Sequence, residues 1–471
     1  MNTELLYTKN SRSYEKSLDS QYKKNNGIYY TDISLAKQMI DALKLSNIED
    51  MNIIDPTCGT GSFLYAASEY GFKNIFGLDI DKGAIKIAKN NVPNGTFKVY
   101  NSISNSSSKL MKLLKLRERF HVVIGNPPYA PITNETYGSS NDYLFQRTVK
   151  SSGDNLFVAG LLRAKEMVCE GGLVSYIIPK NFLHVNSYSL LRRELLRDYS
   201  IMSIVDIGMY FKNVRGEQII LTFKKSKPSN NMIKIYSLID SNFMYMTMIS
   251  QDFYKDTIVL FDSEEDFTIY NKFKNSYTTL NDYVSGYVGR GKKKGKGVIS
   301  GKDIRKFGLK NNRKLSAGNK IFIQNIYSKE AGIIACFGGD LDASETVTVF
   351  TDGDATMCRY VLGIIHSRLI NYFLHRYCFN KSSVTMHVDA KYLKKIPFIV
   401  SEQYFDIVLE YVDLLESSKY MSETWFIYLE ELNRIVYKIY NIEDSERDFI
   451  DLKVKLVQSR KWVASNGKKS K

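Results

Sequence analysis

Met51-Asn52-Ile53-Ile54-Asp55-Pro56-Thr57-Cys58-Gly59-Thr60-Gly61-Ser62-Phe63, residues 51–63, runs from a short apolar strand through a glycine turn into the helical pattern SFLYAASEYGF. Glycines at such a junction let the backbone turn sharply and approach a ligand, while the helix N-terminus faces an anionic group. Asp79 closes the next apolar run, NIFGLDI, 20 residues after Gly59. A carboxylate there can accept hydrogen bonds from both hydroxyls of a ribose. The pattern predicts a nucleoside site on a βαβ unit.

Outward from this unit, strands and helices alternate. ISLAKQMIDALKL is helical in spacing, with Thr31 or Asp32 as its cap. DKGAIKIAKNNV is a helix closed by Pro93, and FKVYNSI, HVVIGN and LVSYIIP are strands. NLFVAGLLRAKEMVCEGG reads as a helix before the last of these, and IVDIGMYF with QIILTFKK as a closing antiparallel pair. The expected fold is α/β, with a mostly parallel, seven-stranded sheet covered by helices. Residues 1–25 read as a polar arm, 26–228 as the first domain, 229–400 as a mixed α+β domain and 401–471 as a helical C-terminal region. The boundary is set at KKSKPSNN, which is basic, polar and broken by Pro228.

The chain is 44% hydrophobic and 24% charged, a composition that permits a sizeable core. No apolar run is long enough for a bilayer and the start lacks a signal-peptide core, so a cytoplasmic protein with no membrane partner is expected. Five scattered cysteines without a CxxC pair speak against zinc and a disulfide framework. His366, His375 and His387 lack carboxylate or thiolate company and read as structural, so no metal is expected. The formal charge of +15 suggests a polyanionic partner. Between Arg290 and Lys320 lie ten further basic residues and a single acid, Asp303. Within them GRGKKKGKG reads as a mobile loop, and Lys292, Lys293, Lys294 and Lys296 are candidates for phosphate contact.

The spacing at 55–63 is not GxGxxG and no Walker lysine follows, so the first motif leaves NAD and S-adenosylmethionine open. A second motif decides between them. Asn126-Pro127-Pro128-Tyr129 directly follows the strand VVIG. The lone pair of an exocyclic adenine amine is delocalised into the ring, which makes it a poor nucleophile. Two fixed acceptors, the Asn126 side-chain oxygen and the Pro127 carbonyl, can hold its N–H bonds and favour a pyramidal nitrogen. Successive prolines stiffen the turn and preorganise both acceptors. Attack on a sulfonium methyl then needs near-attack geometry rather than a strong base. Tyr129 can stack on a base rotated out of the duplex.

In motif order the chain resembles the gamma-class N6-adenine DNA methyltransferases of restriction-modification systems, the TaqI-like family, over roughly residues 25–400. The resemblance implies a Rossmann-like S-adenosylmethionine-dependent catalytic domain, a target-recognition domain after it, double-stranded DNA as substrate, a monomer, and in some systems a separate cognate endonuclease. Gly27-Ile28-Tyr29-Tyr30-Thr31 resembles the N-terminal cofactor motif, with Thr31 at the methionine end and Asp32 in place of the usual proline. By the same resemblance Tyr30, Asp55, Thr57, Cys58, Gly59, Gly61, Asp79, Ile80, Ser102 and Asn126 line the cofactor site. Asn101 stands where the family has an aspartate that accepts from the cofactor's adenine amine, and Phe157 matches a position near the cofactor. Phe211, in Met209-Tyr210-Phe211-Lys212-Asn213, takes the place of an aromatic that sandwiches the flipped base.

Three other readings compete. A related enzyme could act on a protein glutamine or an RNA base amine, but about half the chain follows the linker and is rich in Lys and Tyr, which favours DNA. A decayed, purely DNA-binding relative is countered by intact Asp55, Gly59, Gly61, Asp79, Asn126 and Tyr129. A fused nuclease finds no room in the N-terminal arm and no cluster of metal-binding acids.

Overall fold

The computed structural model describes residues 3–19, 29–132, 148–211, 216–283, 286–295, 297–310, 318–339, 341–384 and 386–454. The chain divides into two compact units, Met1–Ile258 and Val259–Lys471.

The first unit is built on one sheet. Its strands are β1 (Asn52–Asp55), β2 (Asn74–Asp79), β3 (Thr96–Val99), β4 (Phe120–Gly125), β5 (Val168–Pro179), β6 (Ser200–Gly208), β7 (Gln218–Lys224), β8 (Met232–Ile239) and β9 (Asn242–Ser250), in the order 3-2-1-4-5-7-6-8-9. β1 pairs parallel with β2 and β4, and the run continues in parallel to β3 on one side and β5 on the other. β7 lies antiparallel between β5 and β6, as the closing pair was expected to do. Ile53, Ile54, Val122, Val123 and Ile124 are fully buried, because helices cover both faces of the central strands and leave no polar alternation. Each such side chain contributes roughly 1.5–3 kcal/mol relative to exposure.

The helices of this unit are α1 (Thr3–Ser17), α2 (Ile33–Ala42), α3 (Ser62–Tyr70), α4 (Lys82–Asn91), α5 (Ser107–Leu114), α6 (Leu156–Met167) and α7 (Ser189–Asp198). Asp32 caps α2 by accepting from Leu35 N–H, and Asp81 caps α4 by accepting from Gly83 and Ala84. α3 stops at Gly71, whose φ of 112° a side chain would resist.

Three expectations are corrected. The polar arm contains a helix, α1, and of its described side chains only Tyr7 and Ser11 are buried, so no apolar stripe announces it. The helix read as extending to Gly172 ends at Met167. Val168 already pairs with Phe120, and a bulge separates that pair from Val122 and Leu173. The division of the chain falls after Ile258 rather than near 228. Residues 224–231 form a turn within the sheet, since β8 pairs parallel with β6 and its hairpin with β9 adds two strands to the expected seven.

The second unit is mixed α+β, as expected. It opens with α8 (Glu264–Ser276) and carries a four-stranded antiparallel sheet of β10 (Val288–Arg290), β11 (Lys320–Gln324), β12 (Ala335–Phe337) and β13 (Val347–Thr351), ordered 10-13-11-12. Helices α9 (Ala355–His366), α10 (Arg368–Phe373), α11 (Phe405–Ser417) and α12 (Glu423–Ile439) follow. The C-terminal helices belong to this same unit. A Cβ on Gly363 would lie 2.8 Å from Val408, so the glycine lets α9 and α11 approach, and Tyr360 stacks on Phe405 at 4.8 Å. Its core also holds an ionic cluster, in which Arg376 donates to Asp262 at 2.6 Å and to the fully buried Asp266 at 2.5 Å.

Candidate active site

β1 and β4 are neighbours at the centre of the sheet, yet the chain leaves them toward opposite edges. A crevice opens beyond the C-terminal ends of such strands. Asp55 ends β1 and Asn126 follows β4, so the fold brings both sequence motifs to this crevice. It holds a cavity of about 230 Å³.

One wall is the glycine turn. Thr57 N–H donates to Asp55 Oδ1 at 3.0 Å, Cys58 N–H to the Leu78 carbonyl at 2.8 Å and Gly59 N–H to Asp79 Oδ2 at 2.8 Å. The turn is thereby tied to the tip of β2. Gly59 has φ of 50°, and a Cβ there would lie 3.1 Å from the Tyr30 ring. Gly61 has φ of 89° and faces Ala88 of α4. Both positions therefore require the freedom of glycine. Tyr30, Thr31, Thr57, Cys58, Ile80 and Ser102 line the cavity with the two acids. Ile80 is 56% exposed, an apolar side chain presented at the wall rather than packed in the core.

The site is acidic. Burial pushes the Asp55 carboxyl up to about 8, and the Asp79 charge adds to that rise against donation from Thr57. Burial also raises Asp79, aided by the Asp81 charge and opposed by the N–H groups of Asp81 and Gly59. Two desolvated acids lining one cavity suit a ligand that brings positive charge and hydroxyl donors.

Asn101 also lines the cavity, but its Oδ1 accepts from Ile103 N–H at 3.1 Å and Ser104 N–H at 3.0 Å. Both lone pairs of the oxygen expected to meet a ligand amine thus hold a turn. The Ser102 hydroxyl donates to the Pro56 carbonyl, joining this turn to the glycine loop.

Of the second motif, Asn126 and Pro128 line the same cavity. Asn126 Nδ2 donates to the Tyr29 carbonyl at 3.2 Å and to Thr31 Oγ1 at 3.3 Å, so its Oδ1 faces the other way. The Tyr129 hydroxyl lies 2.6 Å from that Oδ1 and 2.9 Å from the Ile177 carbonyl. Burial raises the Tyr129 pKa well above its usual value, so the phenol keeps its proton. One proton serves two acceptors. Pro128 lines the cavity, while buried Pro127 packs on Gly160, where a Cβ would sit 3.0 Å away.

Two expected residues do not line the cavity, although one of them, Phe157, packs edge-on against Tyr129. Phe157 is fully buried and packs edge-on against Phe182 and Tyr188, whereas its neighbour Leu156 lines the cavity. Helical periodicity could not distinguish these adjacent apolar positions. Phe211 is half-buried against the core, edge-on to Tyr210, whose hydroxyl donates to Asp32 Oδ2. Sequence reasoning also missed Phe63, Ile103 and Asp81 as lining residues. Asp81 was legible as the second acid of LDID. Gly27, Ile28, Lys212 and Asn213 lie outside the described residues.

In the second unit Lys292, Lys293 and Lys294 are exposed on the loop after β10, and Lys296 lies outside the described residues. The loop is anchored rather than loose at its start, with Gly291 N–H donating to Val347 O and Lys293 N–H to Ala343 O. His366 is neutral and satisfied: Nε2 accepts from Ala335 N–H at 3.2 Å, Nδ1 faces Leu362 O at 3.0 Å, and burial holds its pKa well below the usual value. No helix among the described residues is long and apolar enough to cross a membrane.

Residues 73–211 match the model of the Eco57I restriction-modification methylase family. The chain is similar to the type II methyltransferase M.VspI of Vibrio sp. (strain 343), 26% identical over 220 residues that make up 46% of this chain and 52% of that protein. It is also similar to the modification methylase CviBIII of Paramecium bursaria Chlorella virus NC1A, 26% identical over 200 residues, 42% and 48% of the two chains. The chain spans about half the length of these curated relatives. The solved DrdV–DNA complex shares the fold, with a TM-score of 0.53 and 11% identity over 88% of this chain and 59% of that one. The parallel run β3-β2-β1-β4-β5 closed by an antiparallel β7 is the Rossmann-like α/β arrangement expected from the sequence.

Proposed function

We propose that this chain, whose residues 73–211 carry the Eco57I restriction-modification methylase match, transfers a methyl group from S-adenosylmethionine to the N6 amine of an adenine flipped out of double-stranded DNA. The observation that carries the reading is the meeting of two motifs in one crevice. The acid-lined cavity of Asp55 and Asp79 adjoins the amide of Asn126 at the ends of neighbouring strands.

The residues present fit the cofactor. Asp79 would accept from the ribose hydroxyls, Ile80 would lie against the adenine, and Asp55 with Thr31 would face the methionine end. Bound there, the cofactor supplies a methyl group activated by its sulfonium. Asn126 does the positioning. Its Nδ2 is fixed by Tyr29 and Thr31, which leaves Oδ1 to accept from the substrate amine. That oxygen is engaged by Tyr129, but the hydroxyl has a second acceptor in Ile177 at 2.9 Å. Turning the phenol proton to Ile177 releases Asn126 Oδ1 for the amine. The Pro127 carbonyl serves as the other acceptor, and the Tyr129 ring as the stacking face. Phe211 is the proposed second face of the base sandwich.

The second unit would supply target recognition, with Lys292, Lys293 and Lys294 on phosphates, positioning the protein without reading sequence. A separate endonuclease would complete a restriction-modification pair. The test is base-resolved sequencing of DNA from cells that express the wild-type chain or Asn126→Ala. N6-methyladenine at one recognised sequence, present only with the wild type, supports the reading. Its absence from both sinks it.

A further inference from the structure

The N-terminal helix α1 makes contacts that the proposed reaction leaves unused. They reach α2, α3 and α4, the cofactor loop and the residue that follows β2. The Tyr7 ring is buried 4.9 Å from Tyr65 of α3, and its hydroxyl sits among Ser11, Thr60 and Ser62. Asn91 at the end of α4 donates to Ser11 Oγ at 3.4 Å and to the Thr60 carbonyl at 2.9 Å, joining helix and loop. Glu4 pairs with Lys37 of α2 at 2.6 Å. At the far end of the helix the Tyr14 hydroxyl donates to Asp81 Oδ2 at 2.5 Å.

Asp81 is the point where these contacts meet the cavity, which it lines. Its Oδ1 accepts from Gly83 and Ala84 at 2.8 and 3.3 Å and so starts α4. Its own N–H donates to Asp79 Oδ1 at 2.9 Å. A single residue thus links Tyr14 on one side to the ribose-binding acid on the other. Gly83 is matched to this arrangement, since a Cβ there would run into the Tyr14 ring. Without Tyr14, the Asp81 carboxylate would keep its cap but lose the donor that holds its second oxygen beside the Asp79 charge.

We propose that α1 is a built-in clasp for the cofactor cavity, with Tyr14 a positioning residue that acts through Asp81 on Asp79. The proposal rests on the methyltransferase reading above. It predicts that the clasp sets cofactor affinity and leaves the chemical step alone. A hydrogen bond to a charged group that is partly exposed is worth roughly a five- to tenfold change in binding.

The experiment uses the full-length chain and its Tyr14→Phe variant, which keeps the ring packing. S-adenosylmethionine affinity is measured by calorimetry, and steady-state methyl transfer to DNA is followed with cofactor as the varied substrate. The expected result is a cofactor Kd and KM raised about five- to tenfold, with kcat at saturating cofactor and DNA affinity within about twofold of wild type. Gly83→Ala, whose added methyl would run into the Tyr14 hydroxyl and ring, should reproduce the shift. Unchanged cofactor Kd in both variants overturns the clasp, as does a fall in kcat with KM unaltered. A wild-type chain with no affinity for S-adenosylmethionine removes the methyltransferase reading and the clasp with it.

Discussion

Replacing Asp55 by asparagine should flatten the pH dependence of stability across the range where the buried acid titrates. Asp55 is 1% exposed and its carboxyl is pushed up to about 8 by burial. In the unfolded chain an aspartate titrates near about 3.9. Below that value the group is protonated in both states and contributes nothing to pH dependence. Between about 4 and 8 the native state holds a proton that the unfolded state has released, so rising pH favours unfolding. The slope is about 1.4 kcal/mol per pH unit. From pH 5 to 7.5 this amounts to about 3 kcal/mol, a large part of a domain's stability. The full chain without cofactor and its Asp55→Asn variant are compared by urea unfolding at half-unit steps. Asp79, also raised, titrates in both proteins, so the difference between the curves reports the Asp55 carboxyl together with its charge coupling to Asp79. Wild type should lose stability relative to the variant by about 3 kcal/mol over that range. Parallel curves would refute the claim that Asp55 is a desolvated, protonated acid in the free protein.

Other consequences follow from named contacts. Asn126→Ala should lower methyl transfer by about 100-fold or more, the scale of losing one preorganised hydrogen-bonding group, while calorimetry finds cofactor affinity within a few-fold. Joint replacement of Lys292, Lys293 and Lys294 by glutamine should weaken DNA binding alike for all sequences. It should also reduce the slope of log affinity against log salt by about 2.7, at about 0.9 per phosphate contact, read from filter binding at several salt concentrations. Arg376→Ala leaves the fully buried Asp266 without its ion-pair partner, and urea unfolding should show a loss of about 3–5 kcal/mol.

The central sheet was legible because its signals are local. A β1 strand, two glycines that need positive φ, and an acid at the tip of β2 lie within thirty residues of one another, and the second motif ends β4. What was not legible depends on distant partners. Nothing in the alternation of β8 and β9 says which sheet they join, and the polar turn around Pro228 resembles a linker when its flanking strands are unseen. α1 escaped notice because Glu4, Ser11 and Tyr14, which hold it with Tyr7, recur at helical spacing but are polar, so they leave no apolar stripe to read. Phe157 and Leu156 are equally apolar, and only the position of α6 decides which one faces the cavity. Asn101 was expected to save its oxygen for a ligand, but that oxygen holds the turn into Ile103 and Ser104.

The most direct test of the central claim is transfer of labelled methyl from S-adenosylmethionine to a purified macromolecule. Unmethylated DNA, the same DNA premethylated by the enzyme, RNA and a glutamine-bearing protein extract are offered in parallel, with Asn126→Ala as control. The account predicts label on N6 of adenine in unmethylated DNA alone, lost in the variant and blocked by premethylation. Label on RNA or protein, or none on DNA while the chain binds its cofactor, would contradict it.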